Sequence, residues 1–383
     1  MTDPQNWHPP TTDERDTPRY GEYGPPSGGP GQPWSGGPPA WAPPPRPGLI
    51  PLRPLGFGTL LWAPFQLLRR NPKATFGSAL IVQAAVALLT LVVVGPVSLW
   101  ALGRIDNAPL AERDAVEAGS FLAIALSAIV PIALSVVAAA LLQGVIVIEV
   151  ARATLGEKLR LGALWRSAGR RLWPLVLWTL LLSGALLAAT VILVAGVALL
   201  VALGGSWLAL AVAIGVLGAL ALVAASAWVS TKTALVPSAI VLERFGIGRA
   251  VQRSWSLTTG YFWRTLGALF LVSAIVSIVS QIVTTPVSLL LGVGAALLDP
   301  TEAYPVATTS ALVVISLLIS IPVSAVTAVV QSGVTALIYL DLRMRKEGLD
   351  LELARFVESG QTGAAVADPY LPPPADGTAA PAA

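Results

Sequence analysis

The chain has 383 residues, 55% of them hydrophobic and only 12% charged, against roughly 25% charge in soluble domains, which excludes a water-exposed globular fold. With no cysteine, disulfides, thiolate metal sites and cysteine nucleophiles are excluded as well. The formal net charge of +3 says little until the charges are placed along the chain.

Residues 1–48 form a polar, Pro- and Gly-rich tail with scattered Tyr20, Tyr23, Trp34 and Trp41, and they hold the single histidine, His8. Such composition buries too little apolar surface to offset ordering entropy, so a disordered, solubilising tail is expected. Its start, MTDPQNWHPP, has no basic stretch leading into an apolar core, so no cleavable signal peptide is expected. From Leu49 the character changes. Gly58 to Lys73 reads as a surface segment ending in Arg69, Arg70 and Lys73, and a first span is expected at 74–102. A polar loop with Arg104, Asp106, Glu112, Arg113, Asp114 and Glu117 precedes a second span at 118–148. A bilayer core takes about 20 apolar helical residues, and both runs exceed that.

A second surface segment follows, Arg152 to Arg171. Leu161, Leu164, Trp165 and Ala168 share one helical side, with Arg166 and Arg170 opposite. Leu172 to Thr231 then carries no charge. That is too long for one span, and LGGS at 203–206 supplies a turn, giving spans at 172–202 and 206–231. The third surface segment, Phe245 to Trp263, places Ile247, Ala250, Val251 and Trp255 on one side and Arg249 and Arg253 on the other. This is the pattern of a helix lying on a membrane, rings down and guanidiniums in water. Spans at 263–298 and 306–340 flank a short loop with Asp299 and Glu302. Asp341 to Arg355 reads as a short helix, and an Ala/Pro-rich tail at 356–383 is expected to be disordered.

Placing the tails and the loops near 149–172 and 230–265 on one side gathers all but Arg104 and Arg113 of the 24 Lys and Arg residues there. That distribution predicts six spans with both termini cytoplasmic in a bacterial plasma membrane. The fold class expected is all-α and polytopic: three tandem hairpins, each preceded by an interfacial amphipathic helix. Hairpins one and three read as an internal repeat. Gly58 to Pro96 and Gly248 to Pro286 have equal separations, PVSL recurs at 96–99 and 286–289, and Pro131 and Arg152 pair with Pro322 and Arg343 one residue out of register. The middle hairpin shares only the surface segment.

Within the spans no Asp, Glu, Lys, Arg or His occurs between the ends, which argues against proton relays and charge-coupled transport. Gln83, Gln143, Gln281 and Gln331 are the most polar residues there. Interhelical hydrogen bonding explains them first and a polar pocket second. Ser273, Ser277 and Ser280 have no intramembrane base, and no phosphate-binding loop is present. Glu149, Arg152, Lys232 and Glu243 lie at span ends as a polar cluster: either a headgroup or substrate site, or ordinary interfacial charges with snorkelling stems. Arg166, Arg170, Arg171, Arg249 and Arg253 alternate with Trp165 and Trp255. Anionic lipid headgroups, and not nucleic acid, are the simplest partner for them.

Pro47–Gly77 (PGLIPLRPLGFGTLLWAPFQLLRRNPKATFG), Val236–Gly267 (VPSAIVLERFGIGRAVQRSWSLTTGYFWRTLG) and Ala336–Arg355 (ALIYLDLRMRKEGLDLELAR) resemble a family of actinobacterial integral membrane proteins, the glycerophosphoryl diester phosphodiesterase membrane domain. The resemblance covers about 47–355 and implies the membrane architecture. In longer relatives this part accompanies a soluble phosphodiesterase barrel that uses histidines and metal-binding carboxylates. No such barrel is expected in these residues, so the enzymatic name does not carry over. The expectation is a non-catalytic module without cofactor or metal that organises lipids or partner proteins in an envelope process, in contact with the bilayer and with a membrane protein or a second copy. The alternative is a permease-like component for a neutral or lipidic solute. The residues argue against the third reading, an embedded lipid phosphodiester hydrolase.

Overall fold

A computed structural model describes residues 48–169, 172–298, 306–362 and 368–371. Eleven helices and no strands occur among them: α1 (Phe57–Arg70), α2 (Phe76–Asp106), α3 (Arg113–Thr154), α4 (Leu161–Gly169), α5 (Leu172–Leu203), α6 (Trp207–Thr233), α7 (Val236–Leu242), α8 (Ile247–Thr258), α9 (Phe262–Leu298), α10 (Val306–Glu347) and α11 (Leu349–Thr362). Six are long and apolar enough to cross a membrane: α2, α3, α5, α6, α9 and α10. The protein is an all-α, multi-pass membrane protein of three hairpins, α2–α3, α5–α6 and α9–α10, preceded by the short amphipathic helices α1, α4 and α8.

The hairpins pack unequally. Helices α2, α3 and α10 pack on one another, and α9 lies against α10. The middle hairpin stands to one side, with α5 leaning on α3 and α6 touching α8 and α9. None of the most apolar stretch of α5 is buried inside the protein. At the α5–α6 turn, Gly204 and Gly205 take φ of +67° and +56°, a left-handed conformation suited to glycine. Helices α3 and α10 each have 42 residues, about 63 Å at 1.5 Å per residue, twice the ~30 Å hydrocarbon core. Their ends must therefore project from the bilayer.

One end of the bundle carries most of the core and most of the basic residues, and is called the basic end below. Both chain ends of the described region meet there. The Leu49 N–H donates to the Ala153 carbonyl at 2.9 Å, and the Arg343 guanidinium donates to the Tyr370 carbonyl at 3.3 Å. Helix α7, all seven residues buried, plugs this end between α3, α8 and α10. A loop was expected over these positions. VPSAIVL is too short and too evenly apolar to separate from the preceding span by periodicity alone.

The surface helices also depart from expectation in what covers their apolar sides. Leu60, Ala63, Pro64 and Leu67 form the buried stripe of α1, and this stripe lies on α10. A Cβ on Gly333 of α10 would meet the Pro64 Cβ at 3.5 Å. Ala250, Ser254, Leu257 and Thr258 form the stripe of α8. Protein, not lipid, fills these faces, so α1 and α8 tie hairpins together. The tail likewise differs from the disordered one expected from 356. Asp341–Glu347 prolongs α10, Gly348 (φ +69°) breaks the helix, and α11 runs on to Thr362. Asp368–Leu371 then docks back on the bundle through Tyr370, which is buried.

Candidate functional site

The basic end is built from acidic side chains that the fold buries and then pairs. Asp341, 1% exposed, accepts the Leu55 N–H at 2.7 Å and pairs with Arg264 at 3.2 Å and Arg345 at 3.0 Å. Both guanidiniums also donate to the Leu55 carbonyl, each at 2.7 Å. One carboxylate thus pins the entering chain to α9 and α10. Breaking such a pair would strand buried charge, at a cost of about 3–5 kcal/mol.

A second knot surrounds Glu243, the residue after α7. Arg253 of α8 approaches it with Nε and Nη2 at 2.9–3.0 Å and reaches Glu347 at 2.5 Å. Tyr339 donates its hydroxyl to Glu243, and Arg343 stands 3.6 Å away while pairing with Glu347 at 3.1 Å. Burial alone would lower the Arg253 pKa, but hydrogen bonds to Glu347 and Glu243 outweigh it and hold the pKa above the ordinary value. Arg244 makes the knot possible. At φ +58° it occupies the left-handed position after a helix that glycine usually fills, and this turn folds α8 back over Glu243.

The four residues read as one polar cluster make separate engagements. Glu149 is buried, and the Asn71 amide donates to its Oε1 at 2.9 Å while its Oε2 has no hydrogen-bond partner among the described residues. Arg152 pairs with Asp368 at 2.7 Å and Glu157 at 3.5 Å. Lys232 places its ammonium 5.2 Å from the Trp255 ring centre and 5.8 Å from that of Phe262. Glu243 sits in the knot just described. Tyr370 closes over the end of α3, donating to the Ala151 carbonyl at 2.7 Å, and burial pushes its phenol pKa up.

Among the residues read as lipid contacts, Arg166 and Arg249 are exposed, with no ion pair or hydrogen bond to a described residue. Arg253, expected to face water, is spent on Glu243 and Glu347 instead. Trp165 donates to the Ser78 hydroxyl at 3.1 Å and ties α4 to α2. Trp255 packs edge-on against Trp228, centroids 5.3 Å apart. Arg170 and Arg171 lie outside the described residues. Glu347, Asp341 and Arg343 were not singled out as site residues, although Asp341/Arg345 and Arg343/Glu347 have the four-residue spacing that pairs charges on a helix. No comparable signal links Leu55 or Asp368 to their distant partners.

Two cavities flank this end. One, about 530 Å³, is lined by Arg152, Arg244, Glu157, Ser167, Asp368 and Tyr370. Its two guanidiniums are balanced by two carboxylates, so it is not a simple anion trap. The other, about 510 Å³, lies within the spans among α2, α3 and α10 and is lined by Gln83, Gln143 and Gln331 with Ser135, Ser332 and Thr335. None of the three amide side chains hydrogen-bonds to a described residue, so the expected interhelical bonds are not formed. Gln281 on α9 is exposed and lies apart from them.

The model of a family described as a domain of unknown function, DUF7847, matches residues 65–342. No curated protein and no solved structure matches the chain.

Proposed function

We propose that this chain, which belongs to the DUF7847 family, is a non-catalytic module that gathers anionic lipid or partner proteins at the cytoplasmic face of a bacterial plasma membrane. One observation carries the reading: the buried Glu243 and Asp341 carboxylates of the basic end are met internally by guanidiniums, while Arg166 and Arg249 on the surface helices stay exposed beside Trp165 and Trp255. Cations left over from a self-neutralised plate are available to headgroup phosphates, each worth roughly 1 kcal/mol near the surface. The likeness of Pro47–Gly77 and Val236–Gly267 to glycerophosphoryl diester phosphodiesterase membrane domains agrees with a lipid-facing role. The first and third hairpins further read as copies, supported by Pro96 and Pro286 inside α2 and α9, and by Pro131 and Pro322 inside α3 and α10.

The test is reconstitution in mixed phosphatidylglycerol and phosphatidylcholine bilayers with spin-labelled phosphatidylglycerol. The native chain is expected to hold an immobilised phosphatidylglycerol fraction whose affinity the double variant Arg166→Glu/Arg249→Glu lowers by about thirtyfold or more. Equal binding by both would sink the reading. Orientation is checked in intact cells: Leu110→Cys is expected to react with an impermeant thiol reagent and Arg160→Cys is not. A second reading, passage of a neutral or lipidic solute, takes its support from the cavity among α2, α3 and α10.

A further inference from the structure

The three glutamines come from different helices, separated by 60 residues or more of sequence, and converge on one cavity among apolar spans. Their depth follows from helix rise. Gln143 precedes Glu149 by six residues, Gln83 follows Phe76 by seven, and Gln331 precedes Asp341 by ten. At 1.5 Å per residue they lie about 9–15 Å along their helices from these residues of the basic end, toward the apolar middle of the spans. A primary amide left unbonded in hydrocarbon costs several kcal/mol. Here three share one cavity without bonding to any described residue. Two of the neighbouring hydroxyls are already committed: Ser135 donates to the Ile132 carbonyl and Thr335 to the Gln331 carbonyl, both at 2.7 Å.

The chemistry of the lining defines what it takes. No lining residue of this cavity is charged, so neither a phosphate nor a cation finds a counterion. Each amide offers both a donor and an acceptor, so the ligand should carry both kinds of group. The remaining wall is Val, Ala and Leu, which suits methylenes. Access is sideways: Ala139 and Gln331 are exposed on the outer surface of the spans, so the entrant comes from the bilayer and not from water.

We propose that this cavity binds an uncharged glycerolipid of the diacylglycerol class. Its hydroxyl and ester groups lie among Gln83, Gln143 and Gln331, and its acyl chains run out past Ala139. The inference stands or falls apart from the anionic-lipid reading, since it involves neither Arg166 nor Arg249, and it deepens the second reading, which draws on the same cavity.

The experiment uses the full chain in nanodiscs doped with a diazirine-bearing diacylglycerol, with phosphatidylglycerol bearing the same diazirine as control. Adducts are mapped by peptide mass spectrometry. Diacylglycerol adducts are expected to concentrate at 82–86, 135–143 and 328–335, the stretches that line the cavity, and to exceed those of phosphatidylglycerol about tenfold. The variant Ala139→Trp, which fills the opening and leaves all three amides in the chain, is expected to remove them. So is Gln83→Leu/Gln143→Leu/Gln331→Leu, and removal of polar groups from the spans gives that variant no reason to misinsert. Adducts unchanged in Ala139→Trp, or spread equally over α5 and α6, would overturn the proposal. It would equally be overturned if Gln331→Cys formed a disulfide between two copies, since a second chain would then be meeting the amides.

Discussion

The basic end and the middle hairpin solve the same problem in opposite ways. At the basic end, α1, α3, α7, α8 and α10 are tied by carboxylates and guanidiniums, with buried links such as Leu55–Asp341 and Tyr339–Glu243 spanning the chain. In the α5–α6 hairpin the hydrogen bonds donated by described side chains stay within one helix, as from Thr190 to the Leu186 carbonyl and from Ser226 to the Val223 carbonyl, and only at its basic end does the Lys232 carbonyl accept from Ser254 of α8. The two helices meet by van der Waals contact alone, at Gly215 against Val197 and Gly218 against Leu193. Lipid is as apolar as the side chains it touches, so a hairpin of this kind gains little hydrophobic drive to join its neighbours. Directional polar bonds supply what the solvent does not, and the chain concentrates them where its helices leave the membrane.

That contrast can be broken first at Asp341. Asp341→Ala leaves Arg264 and Arg345 without their carboxylate and the Leu55 N–H without an acceptor. Thermal unfolding in detergent should show a loss of about 3–5 kcal/mol. A loss under 1 kcal/mol would mean the ties at the basic end are ornamental. A smaller effect is expected in the hairpin from Gly218→Leu. Even a Cβ at that position would come within 2.4 Å of the Leu193 Cδ1, and overpacking of this kind costs about 1–3 kcal/mol. Distances between spin labels on α5 and α6 should lengthen while the basic end keeps its stability. The smallest effect belongs to Trp173→Ala on α5, since that ring is 75% exposed. Less than about 0.5 kcal/mol should be lost. A larger loss in native membranes, absent in detergent, would reveal a partner seated on this face.

How much of this could be read in advance depends on distance along the chain. The spans were legible because charge-free runs of sufficient length can only be helices in lipid, and α2, α5 and α6 match the expected 74–102, 172–202 and 206–231 within a few residues. The pairs Asp341/Arg345 and Arg343/Glu347 obey a local rule and could have been found. Arg253 was misplaced because a helical wheel shows which side of α8 it occupies, but not that the turn at Arg244 carries Glu243 beneath that side. The glutamines were visible as polar, yet their meeting was not. Hydropathy sets where a helix crosses, and says nothing of which helix it will stand beside. The seating of α1 on α10, for example, is made by contacts such as Gly333 on Pro64 and Leu67, between residues some 270 positions apart.

Asp341 lies 286 residues after the amide it receives. Membrane helices enter the bilayer in the order they are translated, so α1 to α8 are in place before this carboxylate leaves the ribosome. Until then the Leu55 amide has no acceptor from α10, while its carbonyl can already draw on Arg264 of α9, and a nascent chain halted before α10 would display that amide to quality-control proteases. This tie is thus closed by the sixth span, which acts as a checkpoint on whether the five before it have been made.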